Sequence, residues 1–185
     1  CALATYAHNM AASVLTASFV VAALGAFYVL QGRHLEAARR FLTLGVTAGL
    51  VSSVLVAFPT GDLQAKLVAR HQPVALAAME GRFESGPRAG LNMIGQPNVR
   101  ERRLDNPITL PGALSFLAFG RFSSEVRGLD AFPEADWPDN IELLYYAFHI
   151  MAGLGTLMIG VMGLAAFLAW RGRLERSEWM LRIVM

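Results

Sequence analysis

Three stretches of this chain carry no Lys, Arg, Asp or Glu: residues 1–32, 41–61 and 143–170. Crossing the hydrocarbon core of a bilayer takes about 20 apolar residues in a helix. Each stretch therefore predicts a membrane-spanning helix, at residues 4–31 (span A), 40–59 (span B) and 143–170 (span C). A further apolar segment starts at residue 178, just before residue 185. The expected fold class is all-α: a polytopic transmembrane helix bundle with three spans, the start of a fourth, and one long loop. Because the sequence starts at Cys1 and stops beside that incipient span, a piece of a longer polypeptide is expected. Span A lacks a basic leading region and a small-residue cleavage site, so it is read as a membrane helix and not as a signal peptide.

The connections set the expected orientation. Between spans A and B, "QGRHLEAARR" carries Arg33, Arg39 and Arg40 against Glu36, and after span C "RGRLERSEW" carries Arg171, Arg173 and Arg176 against Glu175 and Glu178. Three crossings put both segments on one side, and their excess of arginine makes that side cytoplasmic. Residues 32–39 and 171–178 are thus expected inside, and the loop 60–142 outside. This loop holds 9 Lys/Arg and 11 Asp/Glu, and its length marks it as functional and not a plain connector. Within it, "GDLQAKLVARHQPVALAAMEGRFES" predicts two short helices hinged at Pro73, a residue suited to a first helical position. "LPGALSFLAFGRF" predicts a short apolar segment lying in the membrane interface.

Composition agrees with the pattern: 55% hydrophobic and 16% charged residues, with a mean hydropathy of +0.43. The net charge of +2, with no basic patch interleaved with aromatics, argues against a nucleic-acid partner. A single cysteine allows no internal disulfide. Zinc spacing, a nucleophile elbow, a P-loop and a dinucleotide fingerprint are all missing.

The chemistry-bearing candidates are few. His34 falls in the arginine-rich connection and reads as a solvated side chain. His8 and His149 lie within apolar spans, where polar groups are costly and point to function; an imidazole bonded to a neighbouring helix is the plainer reading. Spans A and C both start at the outer side, which puts His8 and Met151 roughly 7 and 12 Å deep at about 1.5 Å per residue. An imidazole and a thioether at one level suit the two axial positions of a low-spin haem iron. His8 with His149 is a close rival, and with eight methionines in the chain any one of them is more often packing than ligand. His149 and Met151 cannot serve one iron together, because two residues turn a helix by about 200°. In the loop, Glu80 shares a helix face with Leu76, Ala77 and Phe83. It reads either as a solvated carboxylate or as a proton acceptor whose pKa burial would raise.

Five blocks, "AHNMAASVLTASFVVAALGAFYVLQGRH", "HQPVALAAMEGRFES", "MIGQPN", "GLDAFPEADWPDN" and "YYAFHIMAGLG", appear in this order along the chain. Together they resemble subunit I of the bacterial cytochrome bd quinol oxidases, from its fifth to its seventh transmembrane helix with the quinol-binding outer loop. The resemblance implies that His8 and Met151 are the axial ligands of the low-spin haem b, with His149 in a possible supporting role. It implies that Glu80 accepts the quinol proton. Two positions depart from the family: Ala75 stands where many members have lysine, and His149 where many have arginine.

What the resemblance implies as a whole is the electron-input part of a membrane quinol:oxygen oxidoreductase in the bacterial cytoplasmic (inner) membrane. Quinol, either ubiquinol or menaquinol, would be oxidised at the outer loop and its electrons passed to haem b. Further b- and d-type haems, the rest of subunit I and a second oxidase subunit would complete the oxygen-reducing machine. Two other readings remain beside it: a haem-b electron carrier with no quinol site of its own, and a structural membrane subunit without haem.

Overall fold

A computed structural model describes residues 2–185, which form seven helices and four short strands. In chain order these are α1 (Ala2–Leu30), α2 (Leu35–Leu55), α3 (Asp62–His71), α4 (Pro73–Met79), β1 (Gly86–Pro87), β2 (Leu91–Asn98), β3 (Arg103–Leu110), α5 (Ala113–Phe119), β4 (Glu125–Val126), α6 (Ile141–Trp170) and α7 (Glu178–Val184). Three helical segments are long and apolar enough to cross a membrane: Ala2–Leu30, Leu35–His71 and Ile141–Trp170. The chain divides into two compact units, residues 2–61 with Leu154–Met185, and Asp62–Gly153.

In the first unit α1 and α2 pack through small residues. Ala22 and Ala26 of α1 and Ala38 of α2 are wholly buried, with Leu42 and Val46 beside them. A Cβ on Gly25 would come within 2.4 Å of the Leu42 backbone nitrogen, and one on Gly45 within 2.4 Å of the Ala22 nitrogen. Such close backbone approach is how helices associate where lipid removes the hydrophobic drive between them. Met162 of α6 fills the space over Gly49, and Met180, Leu181 and Val184 of α7 complete the same core. Buried Ser18, Ser52 and Ser53 bond carbonyls of their own helices, so no hydroxyl is left bare in the packed region. Arg39 meets Glu175 at 2.8 Å, which joins the two basic connections at one end of this unit.

The segment Leu35–His71 is not one continuous α-helix. The α-helix stops at Leu55 and gives way to a wide turn over Val56–Gly61, in which Phe58 is extended. Pro59 has no N–H to continue the ladder and disfavours helical backbone in the residue before it.

The second unit is the loop region with the first turns of α6. Pro73 opens α4 as its first residue. One departure from the all-α reading lies here: β2 and β3 form an antiparallel ribbon, Leu91 opposite Leu110 and Asn98 opposite Arg103, and β1 pairs with β4. The ribbon's sequence hides it, because Gly95, Pro97 and Pro107 break any strand pattern and the register shifts twice, between Asn92 and Ile94 and between Ile94 and Gln96. In α5, Leu114, Ser115 and Ala118 turn inward while Phe116 and Leu117 are exposed. Ser115 Oγ receives the Ala89 N–H and donates to the Ser124 carbonyl, tying α5 to its flanks. Asn140 Oδ1 accepts the Leu143 N–H at 2.9 Å and so caps the start of α6.

The α1–α2 contact has no room for side chains at its glycines. Gly45→Val would drive its Cβ into the Ala22 backbone, and overpacking of this kind costs about 1–3 kcal/mol or more. The expected outcome is loss of folded protein from detergent-solubilised membranes, measured by size-exclusion recovery, whereas Gly153→Ala on open helix surface is recovered normally.

Candidate functional site

Helix α4 ends at Glu80, and that ending creates the site. Glu80 closes the helix at φ −90°, and Gly81 follows at φ +59°, a left-handed conformation that costs glycine nothing. A Cβ at Gly81 would lie 2.9 Å from Leu104 Cδ1 and 3.0 Å from Tyr145 Cδ2, so the chain turns here under the rings and methyls of two other elements. The reversal leaves Glu80 pointing inward and only 1% exposed, with Leu76, Ala77 and Phe83 also buried.

A carboxyl in such surroundings loses the water that favours its charged form. Burial pushes the Glu80 pKa up to about 7, opposed by a hydrogen bond to the Asn92 backbone and by the positive charge of Arg82. Partial burial pulls Arg82 below its usual value in turn. Glu80 Oε2, Arg82 Nε and the Tyr145 hydroxyl are all buried without a hydrogen-bond partner. Buried polar atoms are nearly always paired, so three orphans on neighbouring residues mark a place built to meet something else.

Asn92 on β2 organises the surroundings of Glu80. Its Nδ2 donates to the Glu80 carbonyl at 2.8 Å, and its Oδ1 accepts from the Thr109 hydroxyl at 2.8 Å. The Asn92 carbonyl lies 2.6 Å from His149 Nε2, while His149 Nδ1 lies 2.8 Å from the Tyr145 carbonyl. Carbonyl oxygens only accept, so a ring nitrogen bonds its carbonyl by donating its proton. The His149 ring also stacks on Tyr145 with centroids 4.0 Å apart. Glu80 and His149, two candidates from different parts of the sequence, thus share one hydrogen-bonded cluster.

Met151 follows on α6 and is 54% exposed; its thioether is free of that cluster, as the 200° offset requires. His8 lies on α1, in the other compact unit, and is half-buried. Its Nδ1 is 3.4 Å from Thr60 Oγ1, and the same hydroxyl donates to the Leu55 carbonyl at 2.6 Å. Nδ1 thus faces a hydroxyl already shared with the Leu55 carbonyl, and Nε2 is the other ring nitrogen. An imidazole nitrogen and a thioether sulfur are donor types that a b-type haem iron accepts, and here they belong to different compact units. His34 is exposed beside Tyr28, and Ala75 is half-buried on α4.

Sequence reasoning missed Asn92, Tyr145 and Thr60. Asn92 lies just before the block "MIGQPN" and Tyr145 opens "YYAFHIMAGLG", but nothing in their spacing announces a contact with Glu80.

The family model for cytochrome bd terminal oxidase subunit I matches residues 1–185. A putative cytochrome bd menaquinol oxidase subunit I of Bacillus subtilis is 34% identical, over 98% of this chain and 41% of its own length. The cytochrome bd ubiquinol oxidase subunit 1 of the same organism is 28% identical, over 97% and 40%. The solved bd oxidase of Geobacillus thermodenitrificans superposes with a TM-score of 0.83 at 28% identity, over 98% of this chain and 41% of that one. The chain therefore spans about two fifths of the length of these relatives.

The raised Glu80 pKa has a consequence for stability. A carboxyl held above its ordinary value favours the folded state while neutral, so its contribution is fully present below pH 4.5 and is lost as pH rises through about 7. Amide exchange in the α4–β2 segment is expected to show local opening that becomes easier from pH 5 to pH 8, beyond the intrinsic rise in exchange rate. Glu80→Gln should flatten that dependence.

Proposed function

Because the chain belongs to the cytochrome bd terminal oxidase subunit I family, we propose that it forms the electron-input part of a quinol-oxidising, oxygen-reducing membrane enzyme. The observation that carries this reading is the buried Glu80 carboxyl with one oxygen unpartnered. A group with a pKa of about 7 takes up and gives back a proton near neutral pH, as a general base requires. A quinol hydroxyl presented to Oε2 would satisfy that oxygen and lose its proton there. Arg82 holds positive charge close by, which favours the carboxylate before the proton arrives.

His8 and Met151 would hold a low-spin haem b, which supplies a one-electron acceptor when bound. His8 brings Nε2, set by its Nδ1 contact with Thr60; Met151 brings an uncommitted, half-exposed sulfur. With both residues as ligands the group would serve electron transfer and not oxygen binding. Further b- and d-type haems in the rest of subunit I would reduce oxygen, with a second subunit beside it. The membrane is the bacterial cytoplasmic membrane, with the loop 60–142 outward by the arginine asymmetry of residues 32–39 and 171–178. Ubiquinol and menaquinol have the same hydroxyl chemistry at Glu80.

Two experiments test this in the full-length oxidase. Glu80→Gln keeps the shape and removes the base, so quinol-driven haem b reduction in stopped flow should slow by about 10²-fold or more; an unchanged rate would leave a haem-b carrier fed by another donor. His8→Ala and Met151→Ala should each abolish the low-spin b-type α band of the reduced-minus-oxidised spectrum, and a band surviving both changes would remove these residues as ligands.

A further inference from the structure

His149 binds helix α6 to strand β2 at the residue that grips Glu80. Asn92 holds Glu80 twice, through its backbone to the carboxyl and through Nδ2 to the Glu80 carbonyl at 2.8 Å. The Thr109 hydroxyl on Oδ1 fixes which way the Asn92 amide faces. What fixes the Asn92 backbone is less obvious. A two-stranded ribbon is marginal by itself, and here the register shifts immediately after Asn92, so the ladder does not hold this peptide firmly. His149 Nε2, 2.6 Å from the Asn92 carbonyl, supplies a bond from outside the ribbon. The His149 ring is held by its Nδ1 contact to the Tyr145 carbonyl and by stacking on the buried Tyr145 ring. Tyr145 borders Gly81, next to Glu80, so α4, β2 and α6 close on one another around the carboxyl.

We propose that His149 is a positioning residue for Glu80: its bond to the Asn92 carbonyl fixes the backbone of the β2 residue whose N–H and side chain hold Glu80, and so sets where Glu80 meets a quinol hydroxyl. The proposal rests on the reading of Glu80 as the quinol proton acceptor. It explains the imidazole at this position as a short, flat donor that reaches a strand carbonyl while lying against a tyrosine ring. Met151 is on another face of the helix, about 200° round, so the role of His149 is separable from iron ligation.

The test compares His149→Phe, which keeps the stack and loses the donor, with His149→Gln, which keeps an N–H, in the full-length oxidase. His149→Phe should retain the haem b α band and lower kcat for quinol on the order of 10-fold, the scale of a slightly misplaced catalytic group, with KM changed less than about twofold. His149→Gln should recover most of the loss. His149→Phe combined with Glu80→Gln should be no slower than Glu80→Gln alone, since residues acting through one another are not additive. Wild-type kcat in His149→Phe, a glutamine variant no better than phenylalanine, or losses that multiply would each overturn the proposal. Disappearance of the haem b band in His149→Phe would overturn it too, by assigning the residue to the haem pocket. Wild-type turnover in Glu80→Gln alone would instead refute the reading of Glu80, whatever His149 does.

Discussion

Hydrocarbon offers no hydrogen bonds, and that single constraint organises most of this chain. Inside a bilayer each backbone N–H and C=O must find its partner within the segment itself, which leaves the helix as the only form for an isolated span. The apolar windows of Ala2–Leu30, Leu35–His71 and Ile141–Trp170 obey it. It also governs what holds helices together, since burial against lipid-like side chains gains little over lipid. The answer here is backbone proximity at Gly25 and Gly45 with Ala22, Ala26 and Ala38 around them. On α6 only 11% of the apolar window is buried, so most of its side chains face surroundings other than this chain.

Outside the spans the constraint relaxes, and the chain uses the freedom to bury a carboxyl. Glu80 is reached by a helix that ends in a left-handed glycine, and the turn, packed against Leu104 and Tyr145, leaves the side chain buried. Burial favours the neutral carboxyl. The Asn92 hydrogen bond and the Arg82 charge pull it back to about 7. The balance between desolvation and two partial compensations, not any one residue, sets its proton affinity.

The segment "YYAFHIMAGLG" shows how little adjacency means on a helix. His149 and Met151 are two residues apart, and the structure gives them unrelated surroundings: an imidazole committed to two carbonyls and a ring, and a thioether that is half exposed. Conversely Glu80, Asn92 and His149, spread over seventy residues of sequence, form one hydrogen-bonded cluster. His8 has its side-chain contact with Thr60, a residue fifty-two positions away.

The amino-acid sequence by itself determined the three spans, because twenty uncharged residues have few other fates, and it determined the hinge at Pro73 and the family. Its five blocks were specific enough to single out His8, Glu80, Met151 and the odd position of His149. The ribbon β2–β3 was not legible, since glycine and proline erase the period that betrays a strand and only pairing with a distant segment stabilises it. The break in the helix at Val56–Gly61 was hidden as well, because Phe58 looks helical until Pro59 acts on its backbone. The depth of Glu80's burial and the grip of Asn92 and His149 on it were decided by tertiary structure alone. A pattern records which face is apolar, but a pKa and a hydrogen bond depend on which atoms from remote elements arrive within a few ångströms, and that is known only once the chain has closed.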